Sequence, residues 1–264
     1  MSMKLLIVII FIIPVSLSAQ KKELVVTYTF NESCLRIGGK NNSEIIRNAF
    51  PSYNVRIYSS NSINIRETKR LVAKSKRSID TTYNYIEVDY IQGYLLEPVF
   101  IDYNPGFGFC YKMLLKEPLN LFEWKLTQES KTIMDYDCIK ATCTFRGRNY
   151  EAYFTTEIPF KACPWKFHGL PGVVLEVYST DGYCSWVANS IEIRPKKSEV
   201  ELPNVGMDII DLDNYIVILK KDRKGSIESC KRNLLNFPDL QFEINTLKGL
   251  QMNLPTGIEI FDLD

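Results

Sequence analysis

Apolar and polar positions alternate with a period of two along much of the chain. The stretches "LVVTYTF" (24–30), "YNVRIYS" (53–59), "YNYIEVDYI" (83–91), "LFEWKLT" (121–127) and "VVLEVYS" (173–179) are rich in β-branched and aromatic residues. Clusters of glycine, proline, asparagine and aspartate break the chain between them, the punctuation expected between strands.

Two segments predict hairpins whose facing pairs can be worked out from the turn. With Gly147 and Arg148 as the turn of "CIKATCTFRGRNYEAYFTTEIP", Phe145 faces Tyr150, Cys143 faces Ala152 and Ala141 faces Phe154. That face is wholly apolar, while Lys140, Thr142 and Thr144 meet Thr155, Tyr153 and Glu151 on the other. One buried and one solvated face is the expected form of an antiparallel sheet. Cys143 then lies on the core side as a packed thiol, and Cys138 points away from it. In "VVLEVYSTDGYCSWVANSIEI" the Asp181-Gly182 turn sets Val177 against Trp186 and Leu175 against Ala188, with Cys184 on the same apolar side.

Helical spacing is confined to "NSEIIRNAF" (42–50) and to residues 211–235, where Gly225 divides the pattern into two helices. No internal repeat or low-complexity linker interrupts the chain. These patterns predict a mainly β (or α+β) fold, a single curved antiparallel sheet built as a meander with a few short helices. Residues 20–264 form one domain in this reading, with a separate C-terminal segment conceivable from about residue 196.

The opening "MSMKLLIVIIFIIPVSLSAQKKE" changes the cellular setting. One lysine, an apolar run too short to span a bilayer and small residues near Ser18 and Ala19 predict a signal peptide over residues 1–19. The mature protein is then exported, periplasmic or outer-membrane-associated, with no membrane insertion after cleavage. Export permits disulfides, and Cys34, Cys110, Cys138, Cys163, Cys184 and Cys230 are candidates, although spacing does not give their connectivity. The formal charge is +1 at pH 7, which offers no field to steer the protein onto nucleic acid. No CxxC pair occurs and His168 is the only histidine, so no metal site or cofactor is expected.

Candidate chemistry concentrates in "PWKFHGLPGVV" (164–174). A Cys163–His168 pair could act as nucleophile and base, but a catalytic thiol competes with disulfide formation in an exported chain. Pro171 followed by Gly172 suits a type II turn with Gly172 at positive φ, and Gly169 adds a second permissive point. These three residues read as a structural turn. Trp165, Phe167 and Leu170 then supply contact surface for a ligand or partner. Arg148, beside Arg146 at a hairpin tip, suits a planar anion. The basic run 69–77 reads as a solvated loop, and Glu151, Glu157 and Glu176 show no spacing that marks an acid and base pair.

The blocks "WKLTQESKTIMDYDCIKA", "FRGRNYEAYFTTEIP" and "PWKFHGLPGVVLEV", in this order between Trp124 and Glu192, resemble the GLPGLI family of exported bacterial proteins. The closing "LPTGIEI" is similar to the ending common in that family. The chain departs from the pattern at Cys163-Pro164, where the family has Gly-Pro, and at Val173-Val174, where it has Leu-Ile. The resemblance implies export, a β-rich domain and, at Cys163, a bridge to Cys138; it carries no catalytic residues. With 15 tyrosines, 14 phenylalanines and no acid-base constellation, binding is favoured over turnover. The expected function is a non-catalytic binding or accessory protein of the cell envelope, holding a peptide, an apolar ligand or an outer-membrane or periplasmic protein partner. The competing readings are a thiol-dependent hydrolase using Cys163 and His168, and a structural subunit of an envelope complex.

Overall fold

Alternating side chains build a curved sheet whose apolar faces turn inward. The computed structural model describes residues 22–38, 44–49, 53–59, 63–71, 81–102, 110–196, 207–236 and 238. The signal-peptide segment, Cys34 and Cys110 as side chains, residues 72–77 of the basic run and the closing "LPTGIEI" lie outside what is described. The strands are β1 (Lys22–Gly38), β2 (Glu44–Ala49), β3 (Tyr53–Ser59), β4 (Ile63–Leu71), β5 (Thr81–Asp89), β6 (Tyr94–Asp102) and β7 (Cys110–Pro118). They continue with β8 (Lys125–Ile133), β9 (Tyr136–Phe145), β10 (Arg148–Thr155), β11 (Val173–Ser179), β12 (Cys184–Pro195) and β13 (Ile209–Ile210), followed by helix α1 (Leu212–Asn236).

Neighbouring strands run in the order β13-β7-β6-β5-β4-β3-β1-β12-β11-β10-β9-β8, with β2 paired to the far half of β1. The pairings are antiparallel except β13 on β7. The mainly β, antiparallel fold predicted from the period-two pattern is the fold observed. β1 joins its two arms, one a meander from β3 to β7 and the other from β8 to β12. Leu24, Val26, Tyr28 and Phe30 of β1 point into a core shared by both arms, meeting Val55, Ile57 and Leu95 from one and Tyr150, Leu175 and Trp186 from the other.

Several local expectations are corrected. Residues 44–49, inside the segment read as a helix, pair with β1 from Ser33↔Ala49 to Gly38↔Glu44. A segment this short nucleates a helix poorly, and the overhanging arm of β1 satisfies its backbone instead. The C-terminal pattern forms one helix through Gly225. Glycine costs about 1 kcal/mol in a helix interior, which does not break a helix of 25 residues. Asp211 caps it, its Oδ1 accepting from the Asn214 N–H at 2.8 Å. Among the described residues beyond 196, β13 pairs with β7, with Ile209 beside Leu114.

The β9–β10 turn lies at Arg146 and Gly147, with φ of 42° and 74°. Positive φ at both positions is the requirement of the tight hairpin turn that matches strand twist. Cys143 therefore faces Tyr150, Ala141 faces Ala152 and Ile139 faces Phe154, a shift of two from the expected register. A two-residue shift keeps every side chain on its face, so the apolar side remained correct. The second hairpin has the expected pair Val177↔Trp186.

Candidate functional site

The loop 160–172 is the chemically crowded stretch between β10 and β11, and it is built into the core. Ala162 through His168, together with Leu170 and Gly172, are buried. Two permissive backbone points set its path. Gly169 takes φ of 103°, and a Cβ there would lie 3.2 Å from the Trp124 ring. Gly172 is not in the left-handed region; its role is close approach, because a Cβ would stand 2.0 Å from the Thr155 carbonyl oxygen. This corrects the expected type II geometry at Pro171-Gly172. Pro171 is exposed at the outer edge of the loop.

Trp165, Phe167 and Leu170, expected on a contact surface, are 3%, 0% and 6% exposed. Phe167 sits among Tyr150, Trp165, Phe122 and Trp186 at ring-centroid distances of 5.0 to 5.3 Å. These side chains fill the space between the two arms, where apolar burial and edge-to-face packing stabilise them. Arg148 is also enclosed: its guanidinium pairs with Asp181 and lies 4.1 Å from the Tyr183 ring centroid. A buried tip arginine ties two hairpins together and does not face an outside anion.

Lys166 escaped the sequence reading. It is fully buried, and its Nζ lies 2.5 Å from Glu117 Oε2 and 2.6 Å from Glu97 Oε2. The pairings Leu95↔Glu117 and Glu97↔Leu115 put both carboxylates on the same core-facing side of the β6–β7 ribbon as Leu95 and Leu115. Arg146 pairs with the other oxygen of Glu117, and Trp165 Nε1 donates to Glu97 Oε1 at 3.1 Å. Burial pushes the Glu117 carboxyl up, but Lys166 and Arg146 outweigh it and hold it below the usual carboxylate range. A lone cation inside "PWKFHG" and a lone acid inside "YLLEPVF" were the available signals. A charge isolated in an apolar run requires a partner when the run is buried.

Cys163 and His168 do come together. The sulfur lies 3.3 Å from Nδ1 and 3.5 Å from Nε2, and Tyr90 Oη is 3.4 Å from Nδ1. Nearly equal distances to both nitrogens mean that the thiol is not aligned on one ring nitrogen, as a nucleophile and base pair requires. Burial lowers the His168 pKa to about 4, so the ring is neutral near pH 7. Beside the pair is a cavity of about 20 Å³, lined by Tyr90, Lys161, Cys163, His168 and Leu170 among others. That volume suits one water.

The cysteines correct a second expectation. Cys138 and Cys184 are buried free thiols, and Cys143 is one as expected. Cys138 donates to the Tyr136 carbonyl at 3.5 Å and Cys163 contacts His168, so the bridge implied for these two is not formed. Cys138 is 0% exposed although it lies on the strand face opposite Cys143; at that end of β9 the covered face is the one that carries Cys138, while Asp137 and Ile139 on the other are exposed. Cys230 is the buried residue of α1. Burial pushes the Cys138 thiol up to about 11 and those of Cys143 and Cys184 up to about 12. Glu151 and Glu176 pair with Lys140 and Lys131 on the outer face, and Glu157 accepts from the Asp137 N–H. Among the described residues no three His, Cys, Asp or Glu converge on a metal position.

Residues 116–215 match the family model described as "N-glycanase peptide, N-terminal domain". The matched span covers β8 to β12, the buried loop and Glu117, while Tyr90 and Glu97 precede it. The fold is similar to that of PNGF-II solved in space group C2, with a TM-score of 0.50 and 17% identity over 76% of this chain and 33% of that one. A second PNGF-II structure, in space group P21, gives 0.51 and 15% over 76% and 34%. This chain thus spans about a third of the length of those proteins. None of the curated proteins matches it.

Proposed function

We propose that this chain is an exported, non-catalytic binding or accessory module of the bacterial cell envelope. The observation that carries this reading is the closure of its most distinctive loop. Trp165, Lys166, Phe167 and His168 find their partners inside the protein, so the stretch richest in reactive groups serves to fix the fold. The match to a family model described as an N-terminal domain supports the same view, because this chain covers only about a third of the length of the PNGF-II chains. In this proposal the GLPGLI resemblance and the N-glycanase match describe one β unit. Recognition then falls to surfaces outside the loop, and the partner is an envelope peptide or protein; the N-glycanase match adds glycan-bearing proteins to the candidates. Affinity capture from an envelope extract, with and without prior removal of N-linked glycans, tests this. A specific retained protein or peptide supports the module, and release of glycans or hydrolysis products by the purified chain overturns it.

The thiol-dependent reading rests on the 3.3 Å approach of Cys163 to His168. It requires Cys163 to be alkylated quickly near pH 7 in the folded protein. Burial and a neutral imidazole instead favour labelling only after unfolding, and mass spectrometry of the labelled peptide separates the two.

A further inference from the structure

The loop combines two features that a passive core filler does not need. Trp165 holds a left-handed backbone, φ 49°, which a bulky side chain adopts only when its surroundings enforce it. The next residue places an ammonium group at full burial between two carboxylates on the opposing ribbon. Buried ion pairs of this kind add little net stability while intact, yet losing one partner strands the other charge in the core. The strained residue is itself tied to the same acid, through Trp165 Nε1 and Glu97. Strain and buried charge therefore share one set of anchors.

We propose that residues 164–168 form an acid-released latch, held shut by the Lys166 ammonium between Glu97 and Glu117 and freed in acid when the Glu117 carboxylate, which Lys166 shares with Arg146, takes up a proton. The groups facing the network come from four places: Lys166 and Trp165 on the loop, Glu97 on β6, Glu117 on β7 and Arg146 on the β9–β10 turn. Arg146 also lies over the Phe145 ring. Protonation leaves two cations facing each other across a neutral acid, and the ammonium gains solvation only by leaving the core. The loop carries Trp165 and Phe167 with it. Release uncovers the aromatic wall of Phe122, Tyr150 and Trp186 while β9–β11, held by their own ladder, stay folded.

Hydrogen exchange of the full chain, expressed as protection factors at pH 7 and pH 3, tests this. The probes are the Phe167 amide, which donates to Pro164, and the His168 amide, which donates to Lys166. Their protection is expected to fall at least tenfold more than that of β9–β10 amides. His168→Gln keeps this response, and Lys166→Met abolishes it, because a thioether stem leaves no charge to expel. Glu97→Gln, at a partly exposed position, moves the loss to higher pH and decides the matter if Lys166→Met does not fold. The latch is overturned if loop and β9–β10 lose protection together, if His168→Gln removes the response, or if Lys166→Met retains it or Glu97→Gln leaves its pH unchanged.

Discussion

Gly172 and His168 illustrate how differently two residues of one loop depend on their surroundings. Gly172 is required by distance, since any side chain collides with the Thr155 carbonyl. Gly172→Ala is expected to lower stability by roughly 3 kcal/mol or more, as overpacking against backbone does, measurable by urea denaturation. His168 is required to stay neutral. Its folded pKa, about 4, lies below the ordinary histidine value. The unfolded chain therefore binds the extra proton first, so stability is fully present above about pH 6.5 and falls as pH drops toward 4. The span corresponds to on the order of 3 kcal/mol. His168→Gln is expected to flatten that part of the stability profile, and an unchanged slope between pH 6.5 and 4 would assign it to other groups. Crowding of reactive residues was legible at this scale; enclosure was not. The sequence marks Lys166 as a cation without local partners, but Glu97 and Glu117 reach it only because two strands place them diagonally on one face.

Among elements, the loop between β10 and β11 acts as a third layer between the two arms of the sheet. Its stabilisation comes mainly from apolar burial centred on Phe167. Phe167→Ala is expected to cost about 3–5 kcal/mol, the range for a large aromatic lost from a packed core. The near-ultraviolet circular dichroism of Trp165 and Trp186 is expected to weaken with it, because both rings pack on Phe167. Strand faces could be read from alternation, as the β9–β10 hairpin shows: its register moved by two and its buried side did not change. The strand at residues 44–49 was not legible, because its pairing partner is the overhanging end of β1 and no local pattern announces that overhang.

At the scale of the whole molecule, β1 decides whether the second arm exists. It pairs with β12 from Lys22↔Pro195 to Glu32↔Cys184, its Tyr28 Oη donates to the Val174 carbonyl at 2.6 Å, and Phe30 packs on Trp186 with centroids 4.5 Å apart. The family match at residues 116–215 leaves out β1, the strand that pairs with β12 and packs on Trp186. A fragment starting at residue 116 is expected to lack a cooperative thermal transition, checked by circular dichroism or calorimetry, and adding residues 22–115 restores it. A sharp transition in the fragment would show that β12 tolerates an open edge.

Local alternation alone determined that this protein is mainly β, which face of the β9–β10 hairpin is apolar around Ala141, Cys143 and Phe145, and that Asp181-Gly182 turns a hairpin, because neighbouring residues set these properties. Tertiary structure decided the rest. It converted the conspicuous loop from a surface into a core layer, moved Arg148 inside, kept Cys138 and Cys163 apart, and supplied Lys166 with its carboxylates. Burial and charge pairing arise between strands far apart in the chain, and no local pattern carries the distance between them.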